Sequence, residues 1–124
     1  MGDDQRIAAA QMSRAVIFAI VLAASAAGAA AAEEAGALLA YGRHLAQECA
    51  ACHGREGAGT GGGIPVIAGK PAAEVSQLLH AFREGRRTNP VMVSVAKSLD
   101  ERQIAALAAY FASLPRSAGS AGMR

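Results

Sequence analysis

Both cysteines of this 124-residue chain fall within one pentapeptide, Cys49-Ala50-Ala51-Cys52-His53. No other feature restricts the possible folds as much, because two thiols and an imidazole on one helical turn suit few arrangements. The C-x-x-C-H spacing reads as the attachment point of a c-type haem. The two thiols would add to the two vinyl groups on one edge of a porphyrin, forming thioethers, and His53 would be carried beneath the iron as its proximal ligand. Three other readings compete. A thioredoxin-like redox pair needs a βαβ context, and the sequence has no convincing strand. A structural zinc site needs a second pair of ligands, and there is neither another cysteine pair nor an H-x3-5-H motif. A plain disulfide is the third.

Composition bears on the choice. Hydrophobic residues make up 52% of the chain but aromatic residues only 4%, with no Trp. About half of that apolar content is alanine, which buries little area. The most apolar stretch, 16–32, reads as an export signal. A short positive n-region around Arg14 leads into an apolar h-region at 15–24 and then into small residues that meet the A-x-A rule. Cleavage is expected after Ala30, Ala31 or Ala32, and Met12 offers a shorter n-region than Met1. An uncleaved anchor is the competing reading, but the strongly hydrophobic part is only about ten residues long. Residues 1–32 are therefore assigned as a signal peptide and the protein as periplasmic or otherwise exported, with no stable membrane span once the signal is cleaved. The 92 residues left behind still carry a net charge of +2, too weak to imply nucleic-acid binding. So small a domain with so few large side chains needs a staple, and a covalently held porphyrin would supply the missing core.

The iron's second ligand should come from a separate segment. Met1 and Met12 lie in the leader and Met123 in a Gly/Ser-rich tail, so Met92 remains, in Thr88-Asn89-Pro90-Val91-Met92 between two helical segments. His/Met ligation leaves no open coordination position and suits electron transfer; the competing reading is an ordinary core methionine. His44 and His80 are displaced from the apolar stripes of their helices and read as solvated surface residues. Helices are expected at 35–51, 71–84 and 101–114. The first presents Leu38, Tyr41, Gly42, Leu45 and Cys49, the second Val75, Leu78, Leu79 and Phe82, and the last Ile104, Leu107, Ala108, Phe111 and Leu114. Gly85 stands where a helix terminator belongs. Asp100 with Gln103 forms a capping-box pattern, and Leu99 with Ile104 an accompanying staple. The run Gly57-Ala58-Gly59-Thr60-Gly61-Gly62-Gly63 reads as a flexible crossing; its G-x-G-x-x-G match (Gly57, Gly59, Gly62) lacks the strand and helix that a phosphate site requires. In Ile64-Pro65-Val66-Ile67-Ala68-Gly69, the carbonyl of Pro65 is the candidate acceptor for the outer N–H of His53. The fold expected is all-α, three to four helices around one covalently bound haem, over residues 33–115 with a flexible tail at 116–124.

Together these pieces resemble class I cytochromes c over about residues 35–115. The matching pieces are Gly42 before Cys49, the Cys49–His53 motif, Pro65 in its apolar loop, Phe82-Arg83-Glu84-Gly85-Arg86, Asn89-Pro90-Val91-Met92 and Leu107-Ala108-Ala109-Tyr110-Phe111. Within the class the chain is similar to the cytochrome c4/c553 group and to the haem subunit of flavocytochrome c sulfide dehydrogenase. The resemblance implies a close crossing of the first and last helices, with Gly42 against Tyr110 or Phe111. It implies a monohaem electron carrier, not itself an enzyme, that works between a redox-protein donor and acceptor such as a terminal oxidase. The alternative function is the electron-accepting haem subunit of a flavoprotein dehydrogenase, and a less favoured one is a haem-free thiol or zinc protein. In the cytochrome reading, Cys49, Cys52, His53, Pro65 and Met92 form the cofactor site, with His53 and Met92 on the metal. Asn89 helps to hold the methionine segment, and Arg86 or Arg87 is a candidate for a haem propionate. Arg83, Arg86 and Arg87 form a basic cluster suited to steering an acidic partner.

Overall fold

The computed structural model describes residues 3–116, with side chains before residue 26 only in part. Four α-helices are present among these residues, α1 (Asp3–His53), α2 (Ala72–Arg83), α3 (Pro90–Lys97) and α4 (Glu101–Ser113), and no strand. The chain divides into two units, Met1–Ala35 and Gly36–Arg124. In the first unit, Val16, Ile17 and Ile20 are exposed. No helix among the described residues is long and apolar enough to cross a membrane. The tail expected at 116–124 lies, apart from Arg116, outside the described residues.

Two boundaries differ from the sequence reading. The first helix, expected to begin at residue 35, runs unbroken from Asp3. The reason is local: alanine, the best helix former, supplies thirteen of the 32 residues at 3–34, and no proline interrupts them. The segment around Met92, expected as a non-helical connection, is helix α3. Asn89 caps it, its side chain accepting from the Met92 amide at 3.1 Å, and Pro90 occupies the first helical position. An Asn cap followed by Pro pre-sets the entry of a helix, since Pro at that position sacrifices a donor that has no partner anyway.

The second unit is organised around α4. Its start is fixed by a reciprocal pair of bonds: the Gln103 amide donates to Asp100 Oδ1 at 2.8 Å, and the Asp100 amide donates to Gln103 Oε1 at 2.9 Å. Its inner face buries Ile104, Leu107, Ala108, Tyr110 and Phe111. Of these, Leu107, Ala108, Tyr110 and Phe111 cluster with Ala46 of α1 and Val75 of α2, and Leu45, Cys49, Ile67, Leu79, Leu99 and Leu114 pack around the rim, half-buried. Ile104 is the largest side chain that is fully enclosed. At about 1.5–3 kcal/mol per large buried side chain, so few such residues make a thin core.

Gly42 brings α1 and α4 into close contact. A Cβ at that position would strike the Ala106 carbonyl and lie 2.8 Å from Tyr110 Cβ. The contact expected with Tyr110 is present, and the backbone of Ala106 shares it. α2 begins after Pro71 and is followed by Gly85 at φ +75°, a left-handed turn that glycine takes without strain.

Between α1 and α2, the glycine-rich segment is held at several points. A short 3-10 turn, Arg55–Gly57, follows α1. The Gly57 carbonyl then accepts from both Ile67 and Ala68 amides at 2.9 and 3.1 Å, and Gly69 donates to the Phe111 carbonyl at 2.9 Å. The apolar segment that follows the glycine run is thus tied back to Gly57 and to α4. Those bonds are backbone to backbone, which composition does not reveal.

Candidate haem site

The last turn of α1 presents Cys49, Cys52 and His53. Cys49 is half-buried, Cys52 is exposed and both thiols are free. Burial pushes the Cys49 thiol up, and the neighbouring Glu48 and Cys52 charges add to the rise. His53 is 9% exposed. Its turn is closed by the Gly59 amide, which donates to the His53 carbonyl at 2.6 Å, and by Thr60, whose hydroxyl donates to the Cys52 carbonyl at 3.0 Å.

The imidazole has a defined orientation. His53 Nδ1 lies 2.8 Å from the carbonyl of Pro65. A carbonyl only accepts, so Nδ1 carries a proton, and in the neutral ring the lone pair is on Nε2. Among the described residues, Nε2 makes no hydrogen bond. The donor set fits a c-type haem: an imidazole with one nitrogen anchored and the other without a hydrogen bond, next to two unpaired thiols on the same turn. Cys49 itself packs half-buried against the core cluster, as do Ile67, Leu79 and Leu99 from three other segments.

The structure brings His53 and Pro65 together directly. Met92 stands half-buried in the first turn of α3, with its own amide capped by Asn89, and is not hydrogen-bonded to either of them. Among the described residues, no group of three or more His, Cys, Asp or Glu side chains converges on a metal-sized site, so the zinc reading lacks its remaining ligands. An open depression of about 400 Å³ lies elsewhere, lined by Arg43, Ala46, Gln47, Ala50, Arg55, Glu56 and Tyr110 and by none of the site residues.

Two surface expectations need correction. His80, read as solvated, is half-buried: its Nδ1 lies 2.9 Å from Arg83 Nη2, and its Nε2 lies 3.4 Å from Glu101. Arg83, read as part of a basic docking cluster, is ion-paired with Glu101 and also reaches the Leu99 carbonyl at 3.4 Å. Helical periodicity within α2 points both residues away from the core. The start of α4 covers them, and only the tertiary fold places it there. Arg86 pairs with Glu84 at 2.7 Å, and the Arg87 guanidinium sits 5.0 Å from the Phe82 ring centroid. The three arginines thus have separate engagements.

A family model described as cytochrome c oxidase, cbb3-type, subunit III matches residues 36–111. The chain belongs to this family of c-type cytochromes. The cytochrome is 40% identical over 79 residues to a thiosulfate dehydrogenase electron acceptor of Thiomonas intermedia, covering 63% of this chain and 36% of that one. It is 35% identical over 82 residues to cytochrome c4 of Pseudomonas aeruginosa, covering 66% and 41%. It is 36% identical over 75 residues to the cytochrome subunit of sulfide dehydrogenase of Chlorobaculum tepidum, covering 60% and 67%. The chain therefore spans about two-fifths or less of the first two relatives. Its cofactor is covalently bound haem c, and Cys49, Cys52 and His53 fit the family's C-x-x-C-H motif.

Proposed function

We propose that this is an exported monohaem cytochrome in which Cys49 and Cys52 hold the haem as thioethers, and His53 and Met92 ligate the iron. When bound, haem c supplies a one-electron Fe(III)/Fe(II) couple. The chain's own residues do the rest. Pro65 accepts the Nδ1 proton's hydrogen bond, which fixes the imidazole ring, raises its basicity and directs Nε2 toward the metal. Asn89 fixes the backbone of Met92 through its amide. Two such ligands, His53 and Met92, would hold the iron in a way that suits carrying electrons rather than transforming a substrate.

The single observation that carries this reading is the anchored imidazole beside two unpaired thiols. Purified protein from cells competent in haem attachment should show a chain mass raised by one haem and a c-type reduced-minus-oxidised spectrum. A mass without haem would overturn it. Residues 1–32 are proposed as the leader that delivers the domain to the periplasm, a reading supported by the charged, apolar and small-residue order of the segment. An N-terminus of the mature protein at residue 31, 32 or 33 would test it.

The second reading makes the same domain the electron-accepting subunit of a flavoprotein dehydrogenase. The similarity to a cytochrome subunit of sulfide dehydrogenase supports it. Co-purification of a flavin-bearing partner would favour that role, and a protein that purifies alone and exchanges electrons with several carriers would favour a free shuttle.

A further inference from the structure

The helix that carries Met92 lies against α2 but buries little of its own surface there. α3 is eight residues long and buries only Ala96, and helices so short are not stable alone in water. Val91 and Val95 are 61% and 38% exposed. Asn89 closes the helix at its N-terminal end. At the other end the chain runs through Ser98 and Leu99 into α4, and here a side chain from a different helix takes hold. Arg83, in the last turn of α2, donates from Nη1 to the Leu99 carbonyl and from Nη2 to the Glu101 carboxylate and to His80 Nδ1. A guanidinium has no acceptor, so His80 Nδ1 must be the acceptor. The His80 proton then sits on Nε2, which faces the second carboxylate oxygen of Glu101. One planar fork thus ties the α3–α4 junction to α2. The Arg83 side chain is 27% exposed, so water competes only in part for its bonds.

We propose that Arg83 is a positioning residue for Met92: by pinning Leu99 and Glu101 to α2, it holds residues 89–99 against local opening and keeps the thioether at the iron. The inference rests on Met92 being the iron's second axial ligand. Arg83 acts through the backbone of the junction. A lysine could reach one of its acceptors but could not span them, because its ammonium is a single point charge.

Imidazole titration of the oxidised holoprotein tests this, since imidazole takes the iron position only after Met92 has left it. Displacement is read from loss of the thioether-to-iron absorption band. Arg83→Gln should bind imidazole about tenfold more tightly, the size expected for losing hydrogen bonds to a charged group. Arg83→Lys should lie between it and the parent. Amide hydrogen exchange in α3 should quicken by a comparable factor in Arg83→Gln. Ile104→Val, which trims the enclosed core of α4, should lower the unfolding temperature yet leave imidazole affinity within about twofold of the parent. If Arg83→Gln does not fold, Glu101→Gln serves instead. It keeps an oxygen acceptor without the charge, and should shift imidazole affinity in the same direction by less.

Unchanged imidazole affinity in Arg83→Gln or its substitute, or a change no greater than that of Ile104→Val, overturns the proposal. A Met92→Ala protein that keeps the absorption band overturns the ligand assignment and this inference with it. A Met92→Ala protein that loses the band, beside an Arg83→Gln protein that matches the parent, overturns this inference alone.

Discussion

Gly42→Ala sets two physical effects against each other, and the structure decides which prevails. Alanine is the better helix former by about 0.8–1.0 kcal/mol, so local propensity alone would make the variant more stable. The new methyl, however, would strike the Ala106 carbonyl and lie 2.7 Å from its carbon and 2.8 Å from Tyr110 Cβ. Carbon atoms pack comfortably at about 3.5–4.0 Å, so α1 and α4 must part by roughly 1 Å. Two of the obstructing atoms are backbone and cannot swing aside. Overpacking of this kind costs about 1–3 kcal/mol, and the rigid backbone puts Gly42 at the upper end, leaving a net loss of about 1–2 kcal/mol. For a domain of this size that lowers Tm by roughly 4–16 °C. Gly36, on the same helix, has nothing within 4 Å of where its Cβ would lie, so Gly36→Ala should raise stability by up to about 1 kcal/mol. Thermal unfolding of the two holoproteins, followed by circular dichroism, gives the comparison. If Gly42→Ala melts at or above the parent, the close-crossing argument is wrong.

Met92→Ala should lose the thioether-to-iron absorption band and shift the reduction potential downward; spectroscopy and potentiometry check both, and a variant unchanged in both would remove Met92 from the iron. Cys49→Ala leaves one thioether at best, so holoprotein yield, read as haem per chain by mass spectrometry, should drop sharply. The Arg83 guanidinium hydrogen-bonded to Glu101 holds that carboxyl below the usual carboxylate range, with burial opposing and the Arg83 charge assisting. A lowered folded-state value means the pair's contribution is complete above the ordinary value near about 4.3 and is lost as pH falls through the lower one. The Tm gap between parent and Glu101→Gln should therefore shrink on going from pH 7 to pH 3, and added salt should narrow it too, because Glu101 is exposed. A gap that stays constant across this range would speak against the pairing.

How much of this could be read from sequence depended on where the controlling atoms lie along the chain. The start of α4 was legible because Asp100 and Gln103 act on each other within one turn, and its inner face because Ile104, Leu107, Ala108 and Phe111 repeat with the helical period. α3 carried an equally local signal, an Asn cap followed by Pro at the first helical position. Its interior, though, is valine-rich and only eight residues long, so the segment read as a connection. α1 was expected too short because its upstream half was judged as a leader rather than by alanine's helical preference. His80 and Arg83 were illegible for a different reason. Their partners, Leu99 and Glu101, come from another element, and no periodicity within α2 reports what packs on it. His53 and Pro65 were nameable as partners from chemistry, since a metal-bound imidazole needs an outer acceptor. The 2.8 Å bond between them depends on how the glycine-rich segment folds back.

The two contacts that shape this domain differ in span, and this bears on the order of assembly. His53 and Pro65 are 12 residues apart in the chain, whereas Gly42 and Ala106 are 64 apart. Closing the longer loop costs roughly 1.5 kcal/mol more chain entropy, by the logarithmic dependence on loop length. The imidazole can therefore be aimed by a short local closure while the ends of the domain are still apart. The helix crossing, which leaves no room for even one methyl group, is then suited to being the last joint to shut, around a ligand that is already oriented.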